Sequence, residues 1–217
     1  MTTASPQALL ERARLGDHDH ASDPLAGRIL DAALEQFLQF GLRRSTVDDV
    51  ARRAGVARIT VYRRFATKDD LVQGVLLREA RRTIAEVEAT IGALPNAADR
   101  VVEGFVLGVQ LLRRDRLFQR LMETEPEVIL PYLTIDAGPL LSFAQGFVVH
   151  HIRRAQAEGD IPPFAPEPLA ELVVRVAQSL VLTRETSIPI DDDEAARRFA
   201  VQYLIPVIHV RQKATTP

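Results

Sequence analysis

Apolar residues recur at three- and four-residue steps along most of the chain, and no stretch alternates as a half-buried strand would, so the pattern predicts an all-α protein. The first such run is Leu25, Ile29, Ala32, Ala33, Leu34, Phe37 and Phe40. It starts after Asp23 and Pro24, a helix-opening pair, and stops at Gly41, which suits a C-cap. Ser45-Thr46 then offers an N-cap, with Asp49 three residues beyond Thr46 where a capping box carries an acid or amide. A short helix follows with Val47, Val50, Ala51 and Ala54 on one face, and Gly55 stands where the chain must turn. A second short segment, 58–65, carries Ile59, Val61, Tyr62 and Phe65. Two short helices separated by Ala-Gly-Val have the spacing of a helix-turn-helix.

Beyond residue 68 the spacing predicts helices only: 69–91, 97–114, 117–125, a weak turn over 127–133 broken around Pro131, 140–158, 167–186 and 191–210. Helix 167–186 is apolar nearly all round, so it must be covered on more than one side, and Pro206 should kink or end the last helix. The expected organisation is a tail over 1–23, a DNA-binding domain over 24–70, a larger helical domain over 71–210 and a C-terminal tail over 211–217.

Charge sharpens this picture. The 217-residue chain has a net charge of −2, yet the segment from Arg43 to Lys68 holds eight basic residues against two acids, so that segment is +6 and the remainder −8. Such asymmetry fits a phosphate-facing patch on an otherwise acidic body. No apolar run approaches the roughly 18 residues that span a bilayer, no secretory signal opens the chain, and cysteine is absent; a cytoplasmic protein without membrane association is the expectation. No HExxH, GxSxG, P-loop or dinucleotide fingerprint occurs, so no catalytic residue, cofactor or enzyme activity is expected. His150 and His151 are sequential on one helix and cannot face one metal ion, so no metal site is expected either.

The stretch TVDDVARRAGVARITVYRRFATKDDL, from Thr46 to Leu71, closely resembles the DNA-binding signature of the TetR family of regulators, and the likeness is specific over residues 25–72. Thr60, Tyr62, Phe65 and Lys68 stand where that family has a threonine and a tyrosine in its recognition helix, an aromatic at its end and a lysine at the next helix start. Two departures stand out. Ala57 occupies the usual Ser or Thr N-cap of the recognition helix, a loss of about 1 kcal/mol of capping, and Ile59 replaces a glycine or small residue.

The resemblance implies an N-terminal three-helix helix-turn-helix domain followed by a larger helical effector-binding and dimerisation domain. A recognition helix presents its N-terminal residues to base edges while its flanks reach phosphates. Arg58 is then a candidate for a guanine edge or a phosphate, and Thr60 for a phosphate through its hydroxyl or a thymine through its methyl. Tyr62, Arg63 and Arg44 are candidate backbone contacts, and Thr46 and Lys68 candidate phosphate clamps at helix N-termini. Val50, Ala54, Val56, Val61 and Phe65 should form the small core that sets the angle between the helices, and Tyr62 belongs to that core only if it does not face the DNA.

Similar proteins pair their last two helices with those of a second copy, and Leu169, Val173, Val176, Leu180, Phe199 and Tyr203 are the candidate dimer residues. The resemblance also implies an effector pocket, with Phe105, Val109, Phe118, Met122, Phe143, Phe147 and His151 as its candidate wall, suited to a small apolar or aromatic molecule. The resulting reading is a repressor that binds a palindromic double-stranded DNA operator as a homodimer and leaves it on binding a small-molecule effector. The alternative is a helical ligand- or partner-binding protein whose helix-turn-helix is degenerate.

Overall fold

A computed structural model describes residues 23–209, with side chains through Val207. The expected tails, Asp23 apart, lie outside these residues, as does Val210 at the end of the last expected helix. Every regular element among the described residues is helical. In chain order they are α1 Pro24–Phe40, α2 Val47–Ala54, α3 Arg58–Tyr62, α4 Lys68–Ile91, α5 Ala97–Arg114, α6 Arg116–Thr124, α7 Pro126–Leu133, α8 Gly138–Glu158, α9 Pro166–Leu182, α10 Asp193–Phe199, a π-helical turn Ala200–Leu204, and α11 Ile205–His209.

Two compact units emerge. The first takes in the described residues through Glu79 together with Arg116–Ser142, and the second Ala80–Asp115 with the described residues from Phe143 onward. Packing thus divides differently from the functional split expected at residue 70, because α6 and α7 join the N-terminal helices in one core. That core holds Ile29, Phe37, Val50, Val61, Phe65, Leu71 and Val75, with Leu117, Leu121 and Ile129 from α6 and α7. Burying each large apolar side chain contributes about 1.5–3 kcal/mol, so this shared core is what fixes the short helices α2 and α3.

Local chemistry sets the element ends. Asp23 Oδ1 accepts from the Leu25 amide at 2.8 Å to open α1, and Gly41 closes it at φ 79°. Thr46 and Asp49 make the expected capping box on α2. Gly55, at φ 66°, ends that helix in a Schellman arrangement: its amide donates to Arg52 O and the Val56 amide to Ala51 O. Ala57 supplies no side-chain cap, and α3 runs for only five residues rather than to Phe65. Phe65 is nonetheless buried, as expected, and Gly74 lets α4 approach it: a Cβ there would stand 3.0 Å from the Phe65 ring.

In the second unit α9 ends at Leu182, not at residue 186, since the polar run from Thr183 to Ser187 has no apolar face to bury. The last expected helix is interrupted rather than smoothly kinked. Pro206 has no amide to donate, and one position before it the Ile205 amide reaches back five residues to Ala200 O, a π turn that absorbs the misfit. Pro131 likewise lies inside α7 without ending it.

Candidate nucleic-acid interface

The first unit presents α3 on a short, fixed support. Val61 is fully buried and Phe65 nearly so, which leaves the opposite side of α3 to solvent. On that side Arg58, Ile59 and Arg63 are exposed, and Thr60 and Tyr62 are half-buried. Val50 joins the core as expected, while Ala54 and Val56 pack against it from its margin. Tyr62 also touches the core with part of its ring, so it is anchored at its base and polar at its tip.

Arg58 does not project freely. Its Nη1 donates to Asp48 Oδ2 at 3.0 Å and its Nη2 to the Tyr62 hydroxyl at 3.3 Å, with the guanidinium carbon 5.2 Å from the Tyr62 ring centroid. The Tyr62 hydroxyl and the Asp48 charge both hold the Arg58 proton more firmly than usual. Asp48 is half-exposed, so water and salt screen the pair.

The remaining basic residues sort into two groups. Arg43 pairs with Glu127 at 2.7 Å, Arg52 with Asp49 at 3.3 Å, and Arg64 with Asp23 at 2.7 Å. Arg53 bonds Glu35, Gln36 and Gln39 of α1. Among the described residues, Arg44 and Arg63 are the two of the eight basic side chains in this segment that hold no partner within the protein, and both are exposed.

Thr46 and Lys68 carry structural duties besides the expected phosphate contacts. The Thr46 hydroxyl donates to Asp49 Oδ2 at 2.6 Å and accepts from the Asp49 amide at 3.2 Å, which draws the Asp49 carboxyl below its ordinary pKa. Lys68 Nζ donates to the Leu42 carbonyl, tying the start of α4 to the α1–α2 turn. The opposite side of that turn is held by Glu125, whose Oε2 accepts from the Leu42 and Arg43 amides at 2.6 and 3.2 Å. Neither Asp48 nor Glu125 was legible as part of this site: Asp48 counts in the sequence only as one of two acids among eight bases, and Glu125 lies 83 residues from Leu42 with no local pattern to mark it.

The expected effector-wall residues are divided between the units. Met122 packs against the first unit's core, and Phe118 is half-buried in the same unit. In the second unit Phe105 and Val109 are buried, and Phe143 and Phe147 half-buried. His151 is buried there, its Nε2 2.7 Å from Glu88 Oε2 and its ring 4.7 Å from that of Phe147. Burial pushes its pKa down, against the smaller opposing pull of Glu88.

Of the expected dimer residues, Leu180 is buried within its own chain, while Leu169, Val173, Val176 and Phe199 are half-buried. Tyr203 is 54% exposed, alongside the apolar residues Leu172, Val201 and Val207. Among the described residues no helix is long and apolar enough to cross a membrane, and no group of three or more His, Asp or Glu side chains could hold a metal ion.

Residues 29–75 match the model of bacterial regulatory proteins of the tetR family. An uncharacterised HTH-type transcriptional regulator of Mycobacterium tuberculosis is 29% identical over 155 residues, which cover 71% of this chain and 79% of that protein. The HTH-type transcriptional regulator AlkX of the same species is 31% identical over 123 residues, 55% of this chain and 58% of the relative. Among solved structures, the TetR family repressor AlkX of a Dietzia strain superposes with a TM-score of 0.64 at 22% identity, covering 87% of this chain and 98% of the other. The regulator FadR of Bacillus subtilis, solved with stearoyl-CoA, does so with a TM-score of 0.55 at 18% identity over 80% and 96%. Both structural likenesses concern the fold, an all-α arrangement opened by a helix-turn-helix.

Proposed function

The chain belongs to the tetR family of bacterial regulatory proteins, and from that premise we propose that it is a cytoplasmic repressor that binds an inverted-repeat operator as a homodimer and is released by a small apolar effector. One observation carries the DNA part of this reading. Val61 and Phe65 lock one side of α3 into a shared core, so the other side, with Arg58, Thr60, Tyr62 and Arg63, is presented rigidly outward. A rigid display of cationic and hydroxyl groups on a short helix meets a duplex with little entropy left to lose.

Exposed Leu172, Val201, Tyr203 and Val207 support the dimer, since large apolar side chains on the last helices of a lone chain want cover. Two copies related by a two-fold axis place their recognition helices about one helical turn of DNA, 34–36 Å, or a multiple apart. The effector reading draws on the second unit alone, where half-buried Phe147 packs edge-on against buried His151, a lining suited to an apolar molecule with few polar groups. Sequencing the duplex fragments retained by the purified full chain tests the proposal. Recovery of a common inverted repeat is expected, and retention of fragments sharing no sequence contradicts it.

A further inference from the structure

We infer that Ile59 reads the 5-methyl group of a thymine in the major groove and so sets the base preference of the recognition helix; this rests on the DNA-binding reading above. Ile59 is the second residue of α3 and is 61% exposed, whereas its apolar neighbours Val61 and Phe65 are buried in the core. That anchoring prevents α3 from rolling to hide the Ile59 side chain. Arg58, the residue before it, is folded along the helix towards Tyr62 four positions on and across to Asp48, so it does not cover Ile59. Thr60, the residue after it, is half-buried. The exposed apolar group on the base-reading turn is therefore a branched hydrocarbon.

A lone exposed isoleucine elsewhere on a surface needs no explanation. On this turn it decides what can sit opposite. The major-groove edges of adenine, guanine and cytosine offer hydrogen-bond donors and acceptors, and thymine alone offers a methyl group. A polar edge packed against Ile59 loses its water without gaining a partner, which is unfavourable. A thymine methyl loses nothing by that contact and removes apolar area from water on both sides. The same side chain cannot pair with a phosphate, so a backbone contact is excluded as its purpose.

The test replaces each thymine of the selected operator, in turn and symmetrically in both half-sites, by deoxyuridine, which deletes only the methyl. Affinity of the full-length chain is read by fluorescence anisotropy at fixed salt. At one position the loss should be ~4-fold per half-site and ~15-fold for the pair, the worth of one buried methyl each. Ile59→Ala, whose fold is checked by thermal melting, should bind the thymine and deoxyuridine operators equally. A chain that binds its operator with no methyl dependence at any position overturns the inference and leaves the DNA-binding reading intact. Methyl dependence that persists in Ile59→Ala also overturns it, since another side chain such as Thr60 is then the reader. Failure to bind any duplex sinks the DNA-binding reading itself.

Discussion

The Glu125 carboxylate accepts from the Leu42 amide at 2.6 Å, joining the end of α6 to the turn between α1 and α2. The Leu42 peptide is thus held on both sides, by Glu125 at its neighbouring amides and by Lys68 at its carbonyl. This grip fixes the approach to α2, and through α2 the angle at which α3 is displayed.

Glu125→Ala should therefore lower stability by about 1.5–3 kcal/mol, the range for hydrogen bonds to a charged group, and Glu125→Gln by less because its amide oxygen still accepts. Thermal melting of the three proteins checks this. Gly41→Ala should also destabilise, since Gly41 has φ 79° and a Cβ there would stand 2.5 Å from Glu125 Oε1. Its cost should fall in the Glu125→Ala background, where the clash is gone and only the backbone strain remains. Strict additivity would show that the two residues do not interact.

Asp48 occupies Arg58 and adds negative charge beside the proposed DNA face. Asp48→Asn should tighten binding to any duplex by a few fold and steepen its salt dependence by about one unit, because one more cation is free for phosphate. The helix N-terminus loses an acid worth about 0.3–1 kcal/mol, so melting temperature should drop slightly. Weaker binding by Asp48→Asn would mean that the acid positions Arg58 productively instead of restraining it.

His151 supplies a pH dependence in the second unit. Its folded pKa lies below the ordinary 6.5, chiefly through burial, so the unfolded chain takes up this proton first as pH falls. The histidine's contribution is intact above pH 6.5 and is lost as pH drops from there through the lower folded value. His151→Gln should flatten the fall in melting temperature between pH 7 and 5 relative to the parent chain. Glu88, His150 and Arg100 also bear on this ring, and an unchanged slope would show that the His151 proton does not set the pH dependence.

Leu172→Glu should convert the proposed dimer to a monomer without unfolding it, since the side chain is 54% exposed in the single chain. Sedimentation velocity reads the change. Operator affinity should collapse with it, because each half-site then binds alone. A variant that remains dimeric places the interface elsewhere.

Much of the fold was legible because its signals are local. The Thr46–Asp49 capping box, the turns at Gly41 and Gly55 and the buried Val61 and Phe65 all follow from spacing over a few residues. What escaped depends on distant partners or on competition. Glu125 acquires its role only when α6 packs beside α1, and Arg58 is drawn aside by Asp48, an acid on another helix. The basic patch looked eight residues strong in sequence, yet intramolecular pairing leaves Arg44 and Arg63 as its unclaimed members among the described residues. Though uncapped at Ala57, α3 starts at Arg58 as expected and is short only at its other end; packing of Val61 and Phe65, not helix propensity, holds the segment in place.

Acting as a dimeric DNA-binding protein, two copies of this chain should place their α3 helices in one duplex. Titrating the selected operator with the full-length chain, and following mass by sedimentation equilibrium, measures this directly. Two protomers per palindrome are expected, with a steep loss of affinity when one half-site is scrambled. A chain that binds as a single copy with equal strength to either duplex, or that ignores DNA even at low ionic strength, contradicts it.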